Sequence, residues 1–245
     1  MTKISIITVC YNCESDVKIT LNSIKKQTFK DYELIIVDGN SSDKTLNNIK
    51  KYKNKIKNMK IISESDNGVY DAMNKGIKKS TGDFIIFLNM KDYFIDKKIL
   101  ENISLHLKDN NTIYYGNVIS ESINNKNRKK INKLFFLMGN MINHQTIFAP
   151  KNSLKNNPFD LNYKICADKN WLINCFFNGY NFKFINIDTS YYDGTGISSN
   201  HLLAQKETID IIRKYYPKYL TLLPIFKYKI KNILFKNWII IFFMQ

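Results

Sequence analysis

Glycine and proline are scarce in these 245 residues, at nine and four, and there are only four cysteines. So little glycine and proline excludes a collagen-like or low-complexity chain. Nothing in the spacing of Cys10, Cys13, Cys166 and Cys175 suggests a disulfide framework; Cys10 and Cys13 share a C-x-x-C spacing, but no second pair matches it. Cys10 closes an apolar run, where a small buried residue is ordinary, so zinc or redox chemistry is the lesser reading. No run reaches the ~20 apolar residues that span a bilayer. The apolar run after Met1-Thr2-Lys3 is too short for a signal peptide, which sets the expectation of a cytoplasmic protein. Acidic residues are also few, 21 against 37 basic ones, for a formal charge of +16. That excess admits nucleic acid, an anionic membrane face or a phosphorylated small molecule as partner, although a Lys-, Asn- and Ile-rich coding bias accounts for part of it. What is present is apolar enough for a folded core: 44% hydrophobic residues, 13% aromatic.

The first 92 residues alternate strand and helix patterns. Ile4 to Val9 is a short β-branched run typical of a buried strand, and a helix follows to about Lys26 with Val17, Leu21 and Ile24 on one face. Glu33 to Val37 is a second strand. Ser41-Ser42-Asp43 supplies N-cap chemistry for a helix through about Tyr52. Met59 to Ile62, a helix from Val69 to Lys79, and Phe84 to Leu88 complete β-α-β-α-β-α-β. This order predicts an α/β fold with a mostly parallel central sheet and helices on both faces. Ligands of such sheets lie beyond the carboxyl ends of the strands. There the sequence gathers Thr8, Tyr11, Asp38, Glu64, Asp66, Asn89 and Asp92.

The second half is less regular. Helices are expected over Ile99 to Leu107, Asp168 to Phe177 (with Trp171, Leu172 and Cys175 inward) and Gln205 to Tyr215. Strands are expected over Ile113 to Ile119, Met141 to Phe148 and Phe182 to Ile187, and loops over Glu121 to Lys133 and Tyr191 to Asn200. The expected division is a domain over 1–216, its halves 1–92 and 93–216, and a tail over 217–245. The tail carries five lysines and no acids among Ile, Leu, Phe and Trp238. Such a helix suits a membrane interface, and packing on the domain or on a partner chain is the alternative.

Four segments occur in register: Ser5-Ile-Ile-Thr-Val-Cys-Tyr-Asn12, Leu34-Ile-Ile-Val-Asp-Gly-Asn-Ser-Ser-Asp43, Ser65-Asp-Asn-Gly-Val-Tyr-Asp-Ala-Met-Asn-Lys-Gly76 and Gly82-Asp-Phe-Ile-Ile-Phe-Leu-Asn89. With His144-Gln145 and Ala167-Asp168 following, the chain resembles the family 2 glycosyltransferases of GT-A fold from about Lys3 to Ser199. The Tyr70 to Gly76 segment is similar to the exopolysaccharide-type branch. The resemblance implies transfer of a sugar from a nucleotide-sugar donor, UDP being the family's commonest carrier, to a saccharide or lipid-linked saccharide, with inversion at the anomeric carbon. It also implies surface-polysaccharide synthesis at the inner face of the cytoplasmic membrane.

It further implies residue roles. Thr8, Tyr11 and Asp38 would line the nucleoside pocket, where a ring can stack on a base and a carboxylate can accept from a base or ribose. Asp66 and Gly68 would form a turn beside it. Asp71 and Asn74, one helical turn apart, would either serve the donor or cap and bridge locally. Asp92 matches the family's metal-binding acid, Asn89 replaces the first acid of that motif, and Lys91 departs from the expected small or acidic residue. Mn²⁺ or Mg²⁺ is the expected cofactor, with Lys91 able to supply part of the positive charge. Asp168 matches the catalytic base, although a helix-start Asp also suits a cap. His144 and Gln145 match an acceptor-side pair, and Gly194-Thr195-Gly196-Ile197-Ser198 a loop that closes over the donor.

Two other classes compete. A nucleotidyltransferase would show a glycine-rich basic loop after the first strand, where Cys10-Tyr-Asn-Cys13 has none. A non-catalytic nucleotide-sugar binder with a degraded metal site would account for Lys91, but both Asp92 and Asp168 are retained. The basic clusters carry no nucleic-acid motif, so no nucleic-acid partner is expected.

Overall fold

The computed structural model describes residues 2–120, 130–192, 194 and 200–230. Among the described residues eight strands form one sheet: β1 (Ile4–Cys10), β2 (Tyr32–Asp38), β3 (Met59–Ser63), β4 (Phe84–Phe87), β5 (Tyr93–Phe94), β6 (Thr112–Ile119), β7 (Ile147–Pro150) and β8 (Asn181–Tyr191). Their spatial order is β3-β2-β1-β4-β7-β6-β8-β5. The pairs β3–β2, β2–β1, β1–β4 and β6–β8 are parallel; β4–β7, β6–β7 and β8–β5 are antiparallel. The alternating N-terminal half thus builds the parallel wing, and the irregular second half adds a mixed one.

Helices cover both faces because the strand residues alternate with period two. Ile4, Ile6 and Cys10 of β1 pack with α1 (Val17–Lys25), α2 (Thr45–Lys50) and α4 (Ile99–Ser104). Ile7 and Val9 pack with α3 (Val69–Lys79), α6 (Lys151–Lys155), α7 (Ala167–Phe177) and α8 (His201–Tyr215). The remaining helices are α5 (Lys133–Leu137) and α9, which spans 222–230 after a 3-10 turn over Lys218–Thr221.

Several expectations need correction. The strand expected over 141–148 exists only as Ile147–Pro150. His144–Thr146 forms a 3-10 turn instead, because the Asn143 carbonyl accepts from both the backbone N–H (3.0 Å) and the hydroxyl (2.8 Å) of Thr146. Helix α7 is buried nearly all round, Ala167 through Ile173 and Cys175, and not along one face. Tyr191 ends β8, and most of the expected 191–200 loop, including Thr195 to Ser198, lies outside the described residues, as do 121–129 of the Lys/Asn-rich loop. The start of the tail is docked on the domain: Lys227 donates to the Met138 carbonyl at 2.7 Å.

At the sheet end remote from the cleft, Glu33 of β2 gathers Ser5, Thr81, the Gly82 N–H and Lys60 around a buried carboxylate. Burial alone raises its pKa, but the bonds from Lys60, Thr81 and Ser5 outweigh burial and bring it down to about 2. A depressed folded pKa stabilises the fold above the unfolded value, 4.5, and that contribution fades as pH falls toward about 2. Glu33→Gln is therefore expected to cost about 1–3 kcal/mol at pH 7. In urea titrations its deficit should shrink as pH falls through the window from 4.5 to about 2; a pH-independent deficit would contradict the assignment.

Candidate active site

The carboxyl ends of β1 and β4, the start of α3, the 3-10 turn and the start of α7 enclose a cleft of about 750 Å³. Cavities of this size hold drug- to cofactor-sized ligands. Of the residues expected at the site, Tyr11, Asp66, Gly68, Asn89, Lys91, Asp92, His144, Gln145 and Asp168 line it, as does Gly194.

Four others do not. Thr8 shares a strand face with Ile6 and Cys10, which pack in the core beneath α1, and its hydroxyl is buried with no hydrogen bond among the described residues. Asp38 is fully buried, its carboxylate taken by the Ser41 N–H and by the hydroxyls of Ser41 and Ser63, so it ties the loops after β2 and β3 together. Asp71 accepts from the Asn67 N–H at 2.9 Å and pairs with Lys75 at 3.6 Å, a local cap and bridge. The Asn74 amide accepts from the Phe159 N–H and donates to the Phe159 carbonyl, both at 2.9 Å, which clamps α3 to the segment before α7.

One side of the cleft is built at the end of β1 and the entry to α3. Tyr11 stands on the rim with 65% of its surface exposed, enough open ring to stack on a planar ligand. Asp66 folds its turn by accepting from the Gly68 N–H at 2.9 Å, and Gly68 takes φ +110°, which favours glycine. Asp66 can sit this close to β2 because position 39 is glycine; a Cβ there would stand 2.5 Å from Asp66 Oδ2.

The turn after β4 carries Asn89, Lys91 and Asp92. Thr20 of α1 fastens it, accepting from the Lys91 N–H at 2.9 Å and donating to the Asp92 carbonyl at 2.8 Å. Lys91 has φ +87°, a left-handed conformation that costs a non-glycine residue about 1–2 kcal/mol. Asp92 is buried at the cleft wall, and Asn89 Oδ1 is buried without a hydrogen bond among the described residues. Those residues hold no cluster of three or more His, Cys, Asp or Glu fit to cage a metal. A carboxylate beside an unsatisfied amide oxygen does fit a hard cation completed by water and by the phosphates of a substrate. Cys10 and Cys13 are both free thiols, Cys10 buried.

A chain of polar side chains runs from this turn to the start of α7. Asn89 Nδ2 lies 3.3 Å from His144 Nε2, and His144 Nδ1 lies 3.3 Å from Asp168 Oδ2. The Nδ1–H tautomer satisfies both contacts: His144 donates to Asp168 and accepts from Asn89. Tyr70 OH lies 2.9 Å from Asp168 Oδ1 and 2.6 Å from the Ile165 carbonyl. Burial, then the charge of Asp168, pushes the Tyr70 phenol well above its ordinary range, so it remains a donor. Asp168 is not the cap residue of α7; that position is Cys166.

Sequence reasoning missed the support behind Asp168. Glu207 of α8 accepts from the N–H groups of Lys164, Ile165 and Cys166 at 2.8, 3.0 and 2.9 Å, fixing the entry to α7. Lys169 is buried, which pushes its ammonium down, and donates to Thr208 at 2.6 Å and to the Gly139 carbonyl at 3.3 Å. Only Tyr70 left a signal, since it begins the Tyr70 to Gly76 segment and shares a helical face with Asn74 and Ile77.

An open α/β sheet with a cleft at its strand ends, lined by Asp66, Asp92 and Asp168, has the place and size at which such folds bind ligands. Residues 5–180 match the family model described as glycosyl transferase family 2, so the chain belongs to that family. It is 30% identical over 204 residues to a PGL/p-HBAD biosynthesis glycosyltransferase of Mycobacterium tuberculosis, covering 81% of this chain and 80% of that one. It is 35% identical over 123 residues to the Escherichia coli UDP-Glc:alpha-D-GlcNAc-diphosphoundecaprenol beta-1,3-glucosyltransferase WfgD, covering 50% and 47%. In fold it matches residues 1–349 of Staphylococcus aureus TarS in complex with UDP-GlcNAc, with a TM-score of 0.70 and 20% identity over 85% of this chain and 64% of that one. It also matches a mannosyltransferase from Pyrobaculum calidifontis in complex with GDP-Man and Mn²⁺, with a TM-score of 0.69 and 13% identity over 91% and 68%. The fold is thus that of the GT-A glycosyltransferases.

Proposed function

We propose that the chain transfers a sugar from a UDP-sugar to a hydroxyl of a saccharide or lipid-linked saccharide, inverting the anomeric carbon. The observation that carries this is the pairing, across one cleft, of Asp92 at the β4 turn with Asp168 held by Tyr70 and His144. The UDP carrier and the lipid-linked acceptor are supported by what WfgD uses and by the UDP-GlcNAc complex of TarS, whereas the GDP-Man complex stands on the other side for the base.

In this reading Tyr11 stacks on the base, and Asp66 with Gly68 closes the pocket around the ribose. Asp92 and the Asn89 amide oxygen would hold Mn²⁺ or Mg²⁺, which when bound would supply positive charge to offset that of the leaving diphosphate. Asp168 takes the proton of the acceptor hydroxyl as that oxygen attacks the anomeric carbon; the bond from that carbon to the phosphate oxygen breaks, and its electron pair leaves with UDP. His144 orients Asp168, and Gln145 borders the acceptor.

Lys91 supplies further positive charge beside the diphosphate. Lys91→Gly is expected to stabilise the fold by about 1 kcal/mol by relieving the left-handed backbone. The same change should weaken UDP binding by roughly tenfold. Thermal melts and titration calorimetry read the two effects separately; a substitution that leaves UDP affinity unchanged removes Lys91 from the site.

Inversion is tested without knowing the acceptor. Proton NMR of slow hydrolysis of α-linked UDP-Glc or UDP-GlcNAc should show the β-sugar first, before mutarotation. The α-sugar appearing first would contradict inversion, and no hydrolysis of either donor would count against the UDP-sugar assignment.

A further inference from the structure

Helix α9 over 222–230 leaves an apolar face uncovered. Leu222 and Phe226 are each 66% exposed, Leu223 48% and Ile230 43%, and Tyr219 just ahead of the helix is 72% exposed. At 3.6 residues per turn, Leu222, Leu223, Phe226 and Ile230 fall within an arc of about 100°. The opposite side carries Thr221 and Pro224, both buried, and Tyr228, whose ring approaches Gly139. Lys227 and Lys229 fall on the two flanks of the apolar arc, one on each side. The helix is thus docked along one side and presents, on the other, an apolar stripe edged by cations.

Charge decides what covers such a stripe. The chain carries a formal +16, and from residue 217 onward it has five lysines and no acid. A second copy would bring like charges together around the stripe, which costs free energy. A bilayer rich in acidic phospholipid accepts both parts: the stripe enters the acyl boundary while the exposed Lys229 on its flank reaches the phosphates. Among the described residues no helix is long and apolar enough to cross a membrane, so the contact is one of lying on the surface.

We propose that α9 is an interfacial membrane-docking helix that seats the protein on anionic phospholipid through Leu222, Leu223, Phe226 and Ile230. The docking rests on the exposed face and not on sugar transfer. Its inner side adjoins Met138 and Gly139, and the Gly139 carbonyl accepts from Lys169, the residue after Asp168, so α9 packs next to the entry of α7.

The test is vesicle co-sedimentation of the full chain with phosphatidylglycerol-containing vesicles and with pure phosphatidylcholine vesicles, no donor present. The full chain should pellet preferentially with the anionic vesicles, and less so as salt is raised. The Leu222→Gln/Phe226→Gln double variant should bind at least about tenfold more weakly, and Lys229→Gln a few-fold more weakly. Circular dichroism checks that the double variant keeps the fold, as expected for exposed positions. Equal pelleting with both vesicle types, or a folded double variant that pellets like the parent, overturns the proposal. So does light scattering that finds a dimer dissolved by the double variant, because a second copy would then cover the stripe.

Discussion

Asp168→Asn is expected to lower the turnover of donor by roughly 10³-fold, the usual scale for loss of a general base. UDP affinity should stay within about twofold, because the change spares the opposite wall of the cleft. The substitution is nearly isosteric. Asn can still accept from Tyr70 through one oxygen, and its amide can face His144 once that ring changes tautomer. What it cannot do is take the acceptor proton. A merely structural Asp168 predicts a different pattern: loss of stability, with turnover per folded molecule retained. Tyr70→Phe removes one bond to Asp168 and leaves the carboxylate in place. It should cost only about tenfold, in turnover more than in KM.

Asp92→Ala is the second large effect. It should abolish the gain in UDP affinity that Mn²⁺ confers, a loss of at least about tenfold, and leave the metal-free affinity nearly unchanged. Asp92 is the only carboxylate on the turn after β4, and the neighbouring amide oxygen of Asn89 is too weak a ligand to hold a cation alone. Lys91 bears on the magnitude. If its ammonium carries most of the positive charge, parent and Asp92→Ala will bind UDP equally with and without Mn²⁺.

The parallel wing was legible because its physics is local. Short β-branched runs separated by helices of 3.6-residue period gave β1 to β4, and α3 was read to its ends at Val69 and Lys79. The strand-end rule then put Tyr11, Asp66, Asn89 and Asp92 at one edge, and the cleft contains all four. What failed depended on facing and on distant partners. Thr8 lies at the correct strand end, but the two-residue period of β1 puts it on the face it shares with Ile6 and Cys10. Asp38 and Asn74 are polar residues near the site whose bonds are spent on Ser41, Ser63 and Phe159. No spacing in the chain shows that Phe159, 85 positions away, will claim Asn74. The Glu207 clamp on the entry to α7 reaches across 41 to 43 positions and was equally invisible. In the second half, His144–Thr146 read as strand because apolar residues flank it, and a single Asn143 carbonyl converts it to a turn.

Titration calorimetry of the full chain with UDP and with GDP, each with and without Mn²⁺, tests the central claim most directly. The account predicts binding of UDP, strengthened by Mn²⁺ in the parent and not in Asp92→Ala, and no comparable binding of GDP. Absence of binding by either nucleotide, with or without the metal, would contradict a nucleotide-sugar site in this cleft.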